Sequence, residues 1–274
     1  MLPHLTRYFY CESGLKDQCA LVLSSSFGLG KAVAKELASE RAKVMLFSPF
    51  EAELKNAKQE IIDATQNNNI DYCCGDLSKP EDIKRLVKTT YKKFGPIFAL
   101  FNHAEDPPYG PLNSFDDQTW YNAFELTLLS YQRVVREVAP IMMENGGGRI
   151  VNSTSSSIKA VLDNLGLSNT MRAGVVGWSK TVSQELGKYN ILVNVIGPGR
   201  IGTARIDYLD KMRADKQGIT VKELQENTWK TIPLGRYGKP EEYGKLAAFL
   251  LSATANTYIT GQTILLDGGL VKAL

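Results

Sequence analysis

The 274 residues are 43% hydrophobic and 22% charged, a globular composition that excludes collagen-like and disordered chains and leaves length for one large core or two small ones. Lys and Arg number 32 against 29 Asp and Glu, and the lysines are spread along the chain, so it carries no basic footprint for nucleic acid. No run approaches the roughly 18 unbroken apolar residues of a membrane span, and Met1 to Tyr10 lacks the parts of a signal peptide, so a cytoplasmic protein with no membrane partner is expected.

In chain order, residues 1–14 form an arm carrying Tyr8, Phe9 and Tyr10 ahead of a first strand, Ala20–Leu23. The turn Ser24-Ser25-Ser26-Phe27-Gly28-Leu29-Gly30 leads into a helix whose Val33/Leu37 and Ala34/Ala38 pairs make an apolar stripe. Strands are expected at Lys43–Phe47, Ile70–Cys73 and Ile97–Phe101, then a long helix over Asp117–Asn145. A fifth strand, Arg149–Asn152, precedes a helix over Leu167–Gly187 with Met171, Val175, Trp178, Val182 and Leu186 on its apolar side. After the sixth strand, Leu192–Ile196, the polar stretch Thr203–Pro233 reads as an insertion, either a lid over a ligand or a solvated helical excursion, and the two are compatible. A helix over Glu241–Leu251 opens after Pro240, and Thr263–Leu266 closes the series. Short Val, Ile and Leu runs alternating with longer amphipathic stretches predict an α/β fold. We expect a doubly wound parallel sheet of about seven strands with helices on both faces, as one domain over residues 1–274.

Scarce residues prune the chemistry. The chain has two histidines, His4 and His103, and four cysteines, Cys11, Cys19, Cys73 and Cys74. Neither Cys-x-x-Cys nor His-Glu-x-x-His spacing occurs, so no metal site is expected, and the cysteines read as reduced, buried small hydrophobes. No Gly-x-Ser-x-Gly elbow supplies a nucleophile for a hydrolase based on His103.

A strand running through a glycine-bearing turn into a helix presents backbone N–H groups to a phosphate. Gly28-x-Gly30 alone is weak evidence, since any tight turn favours glycine. Its place after the first strand of a seven-strand pattern gives it weight. Four other segments join it: Asp76-Leu77, Asn102-His103-Ala104-Glu105, Pro198-Gly199 with Thr203, and the run from Pro233-Leu234-Gly235-Arg236 through Gly261 to Asp267-Gly268-Gly269. With these the chain, from about Leu15 to Gly269, resembles the short-chain dehydrogenase/reductase family, nearest to its 3-oxoacyl-(acyl carrier protein) reductases. The family's Thr-Gly-x-x-x-Gly-x-Gly turn falls on Leu23 to Gly30, with Leu23 and Ser24 replacing the Thr and the first Gly.

The resemblance implies a Rossmann-like fold, a small-molecule substrate and a homotetramer associating through the helices at Asp117–Asn145 and Leu167–Gly187 and the carboxyl-terminal segment. It also implies a nicotinamide dinucleotide held by Ser24, Ser26, Gly28, Leu29, Gly30, Ser48, Asp76, Leu77, Asn102, Ala104, Pro198, Gly199, Ile201 and Thr203. Ser48, at the end of the second strand, is neither the acidic residue that disfavours a ribose 2′-phosphate nor an arginine that demands one, and on that basis NADP is favoured over NAD. Ser24 costs little if its φ is negative, and its hydroxyl is then available to phosphate or ribose. If its φ is positive, the cost is roughly 1–2 kcal/mol.

In the family a Tyr phenol handles the proton of a hydride transfer between nicotinamide and a carbonyl or alcohol carbon, assisted by a Lys four residues on, a Ser and an Asn. The cation is needed because a phenol of pKa ~10 is a poor acid–base group at neutral pH. Here Ser155 matches the serine, Thr127 stands at the asparagine, and the Tyr-x-x-x-Lys reads Ser168-Asn169-Thr170-Met171-Arg172. None of the 12 tyrosines has a Lys four positions later. The candidate catalytic set is therefore Ser155, Ser168, Arg172 and Thr127. Ser168 is too weak and too short an acid to replace a phenol. Arg172 can hold the nicotinamide ribose or the carboxylate or phosphate of an anionic substrate, or it is a surface or ion-paired arginine. His103, Glu105 and Asp106 offer substitute acids, although a solvated polar loop ending in Pro107-Pro108 is the simpler reading. Two functions stay open: an NAD(P)-dependent oxidoreductase with an altered proton donor, and a catalytically inactive dinucleotide-binding sensor or scaffold.

Overall fold

The computed structural model describes residues 13–273; residues 1–12 of the expected arm, with His4 and Cys11, and residue 274 lie outside the described residues. Strand β1 (Cys19–Leu23) leads to α1 (Gly28–Ser39), β2 (Lys43–Ser48) to α2 (Glu51–Thr65), β3 (Ile70–Cys74) to α3 (Pro80–Phe94), and β4 (Ile97–Asn102) to α4 (Asp117–Phe124) and α5 (Ser130–Glu144). The second half runs β5 (Gly148–Ser153), α6 (Gly166–Leu186), β6 (Ile191–Pro198), α7 (Ala204–Gln217), α8 (Val221–Trp229), α9 (Pro240–Leu251) and β7 (Thr263–Leu266). The strands pair in parallel in the order β3-β2-β1-β4-β5-β6-β7. This is the expected Rossmann-like sheet, its strands differing from expectation only at their end residues. No described helix is long and apolar enough to cross a membrane.

Side chains alternate across the sheet with the period of two that a strand imposes. Leu21, Leu23, Met45 and Phe47 meet Leu86 of α3, Val134 of α5 and Val175 of α6 on one face. Ala20, Val22, Val44 and Leu46 meet Leu37 of α1, Leu54 of α2 and Leu251 of α9 on the other. Because both faces are covered, the strands read as unbroken apolar runs, and each fully buried Leu or Phe contributes roughly 1.5–3 kcal/mol. Strand β1 lies between β2 and β4, so the chain order reverses there and a crevice opens at the carboxyl ends of β1 and β4, where such sheets take ligands.

Two helical regions refine the expectation. The single helix over Asp117–Asn145 is α4 and α5 joined through a π-turn at Glu125–Leu129. A π-turn widens the helix by one residue, and this one encloses Thr127, which is fully buried with a hydroxyl that makes no hydrogen bond. The insertion is helical, as α7 and α8, the latter opened by a reciprocal cap between Thr220 and Glu223.

Candidate active site

After β1 the chain turns so tightly that a Cβ on Gly30 would lie 2.2 Å from the Ser24 carbonyl oxygen. Gly28 has φ of +60° and faces open space. Helix α1 begins there without a side-chain cap from Phe27 and with no acidic residue in its first turn. Its first N–H groups, unpaired as in any helix, are thus left for an anion. Ser24 has φ of +44°, so the costlier alternative holds: a serine sits in the left-handed region that suits glycine, at roughly 1–2 kcal/mol. Its hydroxyl is buried without a well-formed hydrogen bond. Ser26 Oγ donates to Ser48 Oγ at 3.0 Å, and Ser48 Oγ accepts from the Phe50 N–H at 3.1 Å, which ties the turn to the end of β2.

A cavity of about 580 Å³ opens at this edge of the sheet, between the β1 turn, the loop after β4, Ser155, the start of α6, the loop after β6 and the first turns of α7. The expected site residues line it, with the exceptions of Gly30, Ser48, Asp76, Leu77, Asn102 and Thr127. Gly30 and Ser48 lie behind the turn. Asp76 accepts from the Ser78 N–H and hydroxyl, both at 2.8 Å, while Leu77 is buried in the core beside α3 and α5. Asn102 is buried and donates to Asn152 Oδ1 at 2.8 Å. Thr127 does not line the cavity either, because the π-turn encloses it in the protein body.

Arg172 is not a surface residue; it is among the largest fully buried side chains of the protein. Its Nε–H donates to Ser168 Oγ at 3.2 Å, Nη1 to the Ser153 carbonyl at 3.3 Å, and Nη2 to the Ala104 carbonyl at 3.4 Å and to Asp106 Oδ1 at 2.8 Å. The other Asp106 oxygen lies 3.3 Å from Arg205 Nε, in the first turn of α7. The loop after β4 is therefore not a free solvated loop, since a buried guanidinium pins it. Burial alone would raise the Asp106 carboxyl, but Arg172 and then Arg205 outweigh it and hold the carboxyl below its usual range.

Among the neighbouring groups the imidazole and the phenol are poor proton donors at neutral pH. Burial, reinforced by Arg172, pushes the His103 imidazole down to about 4, so it is neutral at pH 7. Burial and then Asp76 raise the Glu105 carboxyl, against the Ser24 hydroxyl. Tyr131 is a phenol close to Arg172, but it is fully buried, outside the cavity wall, pushed up by burial to about 12, and donates to the Ser153 carbonyl at 3.1 Å. It is not a displaced copy of the missing tyrosine. The two serines are better placed. Ser155 Oγ accepts from the Ser157 N–H at 3.1 Å, and Ser168 Oγ accepts from Arg172. Each hydroxyl therefore keeps its own proton to donate into the cavity. The sequence reading missed Arg205 and Tyr208 in the α7 wall, for which the only signal was their place at the start of the insertion.

The family model described as Enoyl-(Acyl carrier protein) reductase matches residues 24–271. The chain is 32% identical over 261 residues to a 3-oxoacyl-(acyl-carrier-protein) reductase of Synechocystis sp., covering 94% of this chain and 99% of that protein. It is 28% identical over 263 residues to the NADPH-dependent reductase BacG of Bacillus subtilis, covering 95% of this chain and 100% of that one. Among solved structures, L-sorbose reductase from Gluconobacter frateurii, in complex with NADPH and L-sorbose, superposes with a TM-score of 0.90 at 28% identity, covering 96% of this chain and 100% of that chain.

Proposed function

The chain belongs to the short-chain dehydrogenase/reductase family, and from that premise we propose that it reduces a small carbonyl compound with NADP(H), holding the carbonyl oxygen with the Ser155 and Ser168 hydroxyls. One observation carries the reading: a single cavity unites the uncapped N-terminus of α1 with the Ser155 and Ser168 hydroxyls. The open space in front of Gly28 and the free first turn of α1 fit a pyrophosphate. The N–H groups at the start of α1 would hold it, with Ser24 and Ser26 toward the adenosine ribose, backed by Ser48, and Asp76 toward the adenine. Ala104 would border the nicotinamide ribose, with Asn102 buried behind it on Asn152, and Pro198, Gly199, Ile201 and Thr203 the nicotinamide. The NADPH of the Bacillus and Gluconobacter relatives supports the phosphorylated cofactor.

When bound, the nicotinamide supplies a hydride to the carbonyl carbon. The protein's part is to hold the carbonyl oxygen. Ser155 and Ser168 donate to it and stabilise the charge that develops there, and Arg172, by donating to Ser168, fixes that hydroxyl outward. Ser168 is not the acid. The proton that completes the alcohol comes from water in the cavity, so turnover is slow by the factor of roughly 10²–10⁴ that a positioned acid supplies. The test is NADPH consumption on a panel of carbonyl compounds, which Ser155→Ala should reduce by roughly tenfold or more.

A second reading is a dinucleotide-binding protein without turnover, favoured by the commitment of Arg172 to Asp106 and by the lack of any phenol in the place of the lost tyrosine. Calorimetric binding of NADPH with no consumption on the panel would select it. In either case we propose a cytoplasmic homotetramer; the exposed Tyr121 and Phe124 of α4 and Phe249 of α9 are apolar surface of the kind that association covers.

A further inference from the structure

We propose that the substrate carries a carboxylate, received by Arg205 at the α7 wall of the cavity. The inference rests on the reductase reading above and adds the substrate class. Asp106 is one carboxylate shared between two guanidiniums, Arg172 at 2.8 Å and Arg205 at 3.3 Å. The third guanidinium in the wall, Arg200, is already neutralised by the fully buried Asp210 at 3.0 Å. At this part of the wall one guanidinium is therefore left without a carboxylate of its own, the remaining wall carboxyl, Glu105, standing beside Ser24 at the β1 turn. The charge is not available at Arg172, which is sealed at 2% side-chain exposure, but it is at Arg205, which is 41% exposed.

Arg205 lies nearest Asp106 through Nε, at 3.3 Å, and among the described residues its guanidinium makes no hydrogen bond. The donors of the fork that matches a carboxylate are thus not committed by hydrogen bonds. Its guanidinium lies 6.0 Å from the centre of the Tyr208 ring, which limits where it can swing. It stands in the first turn of α7, where Thr203 gives no side-chain cap and the unpaired N–H groups add partial positive charge; Asp207 in the same turn does not line the cavity. Leu162 and Leu165 before α6 and Ile206 and Leu209 of α7 give the cavity an apolar lining as well. A ligand whose carbonyl sits at Ser155 and Ser168 and whose chain follows these side chains ends at a cation. A straight-chain oxo acid has that pattern.

The test is calorimetric titration of the full chain, with saturating NADPH, using straight-chain oxo acids of about four to eight carbons and their methyl esters, which keep the shape and lose the charge. At least one acid should bind about tenfold or more tightly than its ester, equal to about 1.4 kcal/mol. Arg205→Met should remove that preference and Arg205→Glu should reverse it. Lys222→Met, which deletes an equal charge at an 85% exposed position on α8, should leave it intact. Acids and esters that bind alike, or an acid preference that survives Arg205→Met, would overturn the proposal. NADPH consumption on the same panel separates it from the reading it rests on. Acids that bind through Arg205 without turnover support the carboxylate site and refute the reductase. Turnover of neutral ketones with no acid preference supports the reductase and refutes the carboxylate site.

Discussion

Replacing Arg172 by Met keeps much of the side-chain bulk and deletes the charge that joins α6, the end of β5 and the loop after β4. The variant loses a charged contact to Asp106 at 2.8 Å and leaves Ser168 Oγ and the Ala104 carbonyl without this donor, while the Ser153 carbonyl keeps only Tyr131. Removing one partner of a buried ion pair costs roughly 3–5 kcal/mol, because the other charge is left uncompensated. Asp106 is 36% exposed and retains Arg205, so the lower end applies, about 3 kcal/mol. At roughly 2–4 °C per kcal/mol for a chain of this size, Tm should fall by about 6–12 °C.

Urea unfolding gives the free energy, and a double-mutant cycle with Asp106→Asn isolates the pair, whose coupling should exceed about 1 kcal/mol. The pH dependence has a fixed sign. Asp106 is held below its usual range in the folded protein, so its contribution is full above the unfolded value near ~3.9 and is lost as pH falls through the folded one. The gap between wild type and Arg172→Met should therefore narrow below about pH 4. A loss under about 1 kcal/mol, typical of an exposed pair, would refute the assignment of Arg172 as a buried hub.

Gly28→Val should abolish the heat of NADPH binding while circular dichroism stays folded, since its side chain would fill the open space and its φ of +60° suits only glycine well. NADPH should bind more weakly as pH rises through the raised Glu105 titration, because a charged carboxylate in the cavity wall repels an anion, and Glu105→Gln should flatten that dependence; an unchanged slope would refute it. Ser168→Ala should lower kcat by roughly tenfold, as the loss of one of two donors to the carbonyl oxygen, whereas Ser168→Tyr with Arg172→Lys should raise it by roughly 10²–10⁴ if an acid is what is missing. Light scattering at micromolar concentration should give a tetramer, and a monomeric mass would contradict the proposed assembly.

The sheet and the glycine turn were legible in the sequence because their signals are local: apolar runs at strand length, and Gly28 and Gly30 directly after the first of them. What was not legible depends on distant partners. His103, Glu105 and Asp106 read as a solvated loop because nothing within that segment shows Arg172, 66 residues further on, closing over it. The side-chain pattern of Asp117–Asn145 is helical throughout, so the π-turn that encloses Thr127 left no mark on it. The positive φ at Ser24, in a turn packed closely against Gly30, is a backbone property that composition does not record. Arg205 lies in a polar insertion whose residues alone gave no means of telling wall from surface.

The most direct test of the account is the rate of NADPH consumption by wild type and Ser155→Ala on the oxo acid panel, with cofactor binding confirmed for both by calorimetry. The account predicts slow but measurable turnover by wild type that falls by roughly tenfold or more when the Ser155 hydroxyl is removed. Bound NADPH with no consumption by wild type on any acid, or a rate indifferent to Ser155, would contradict it.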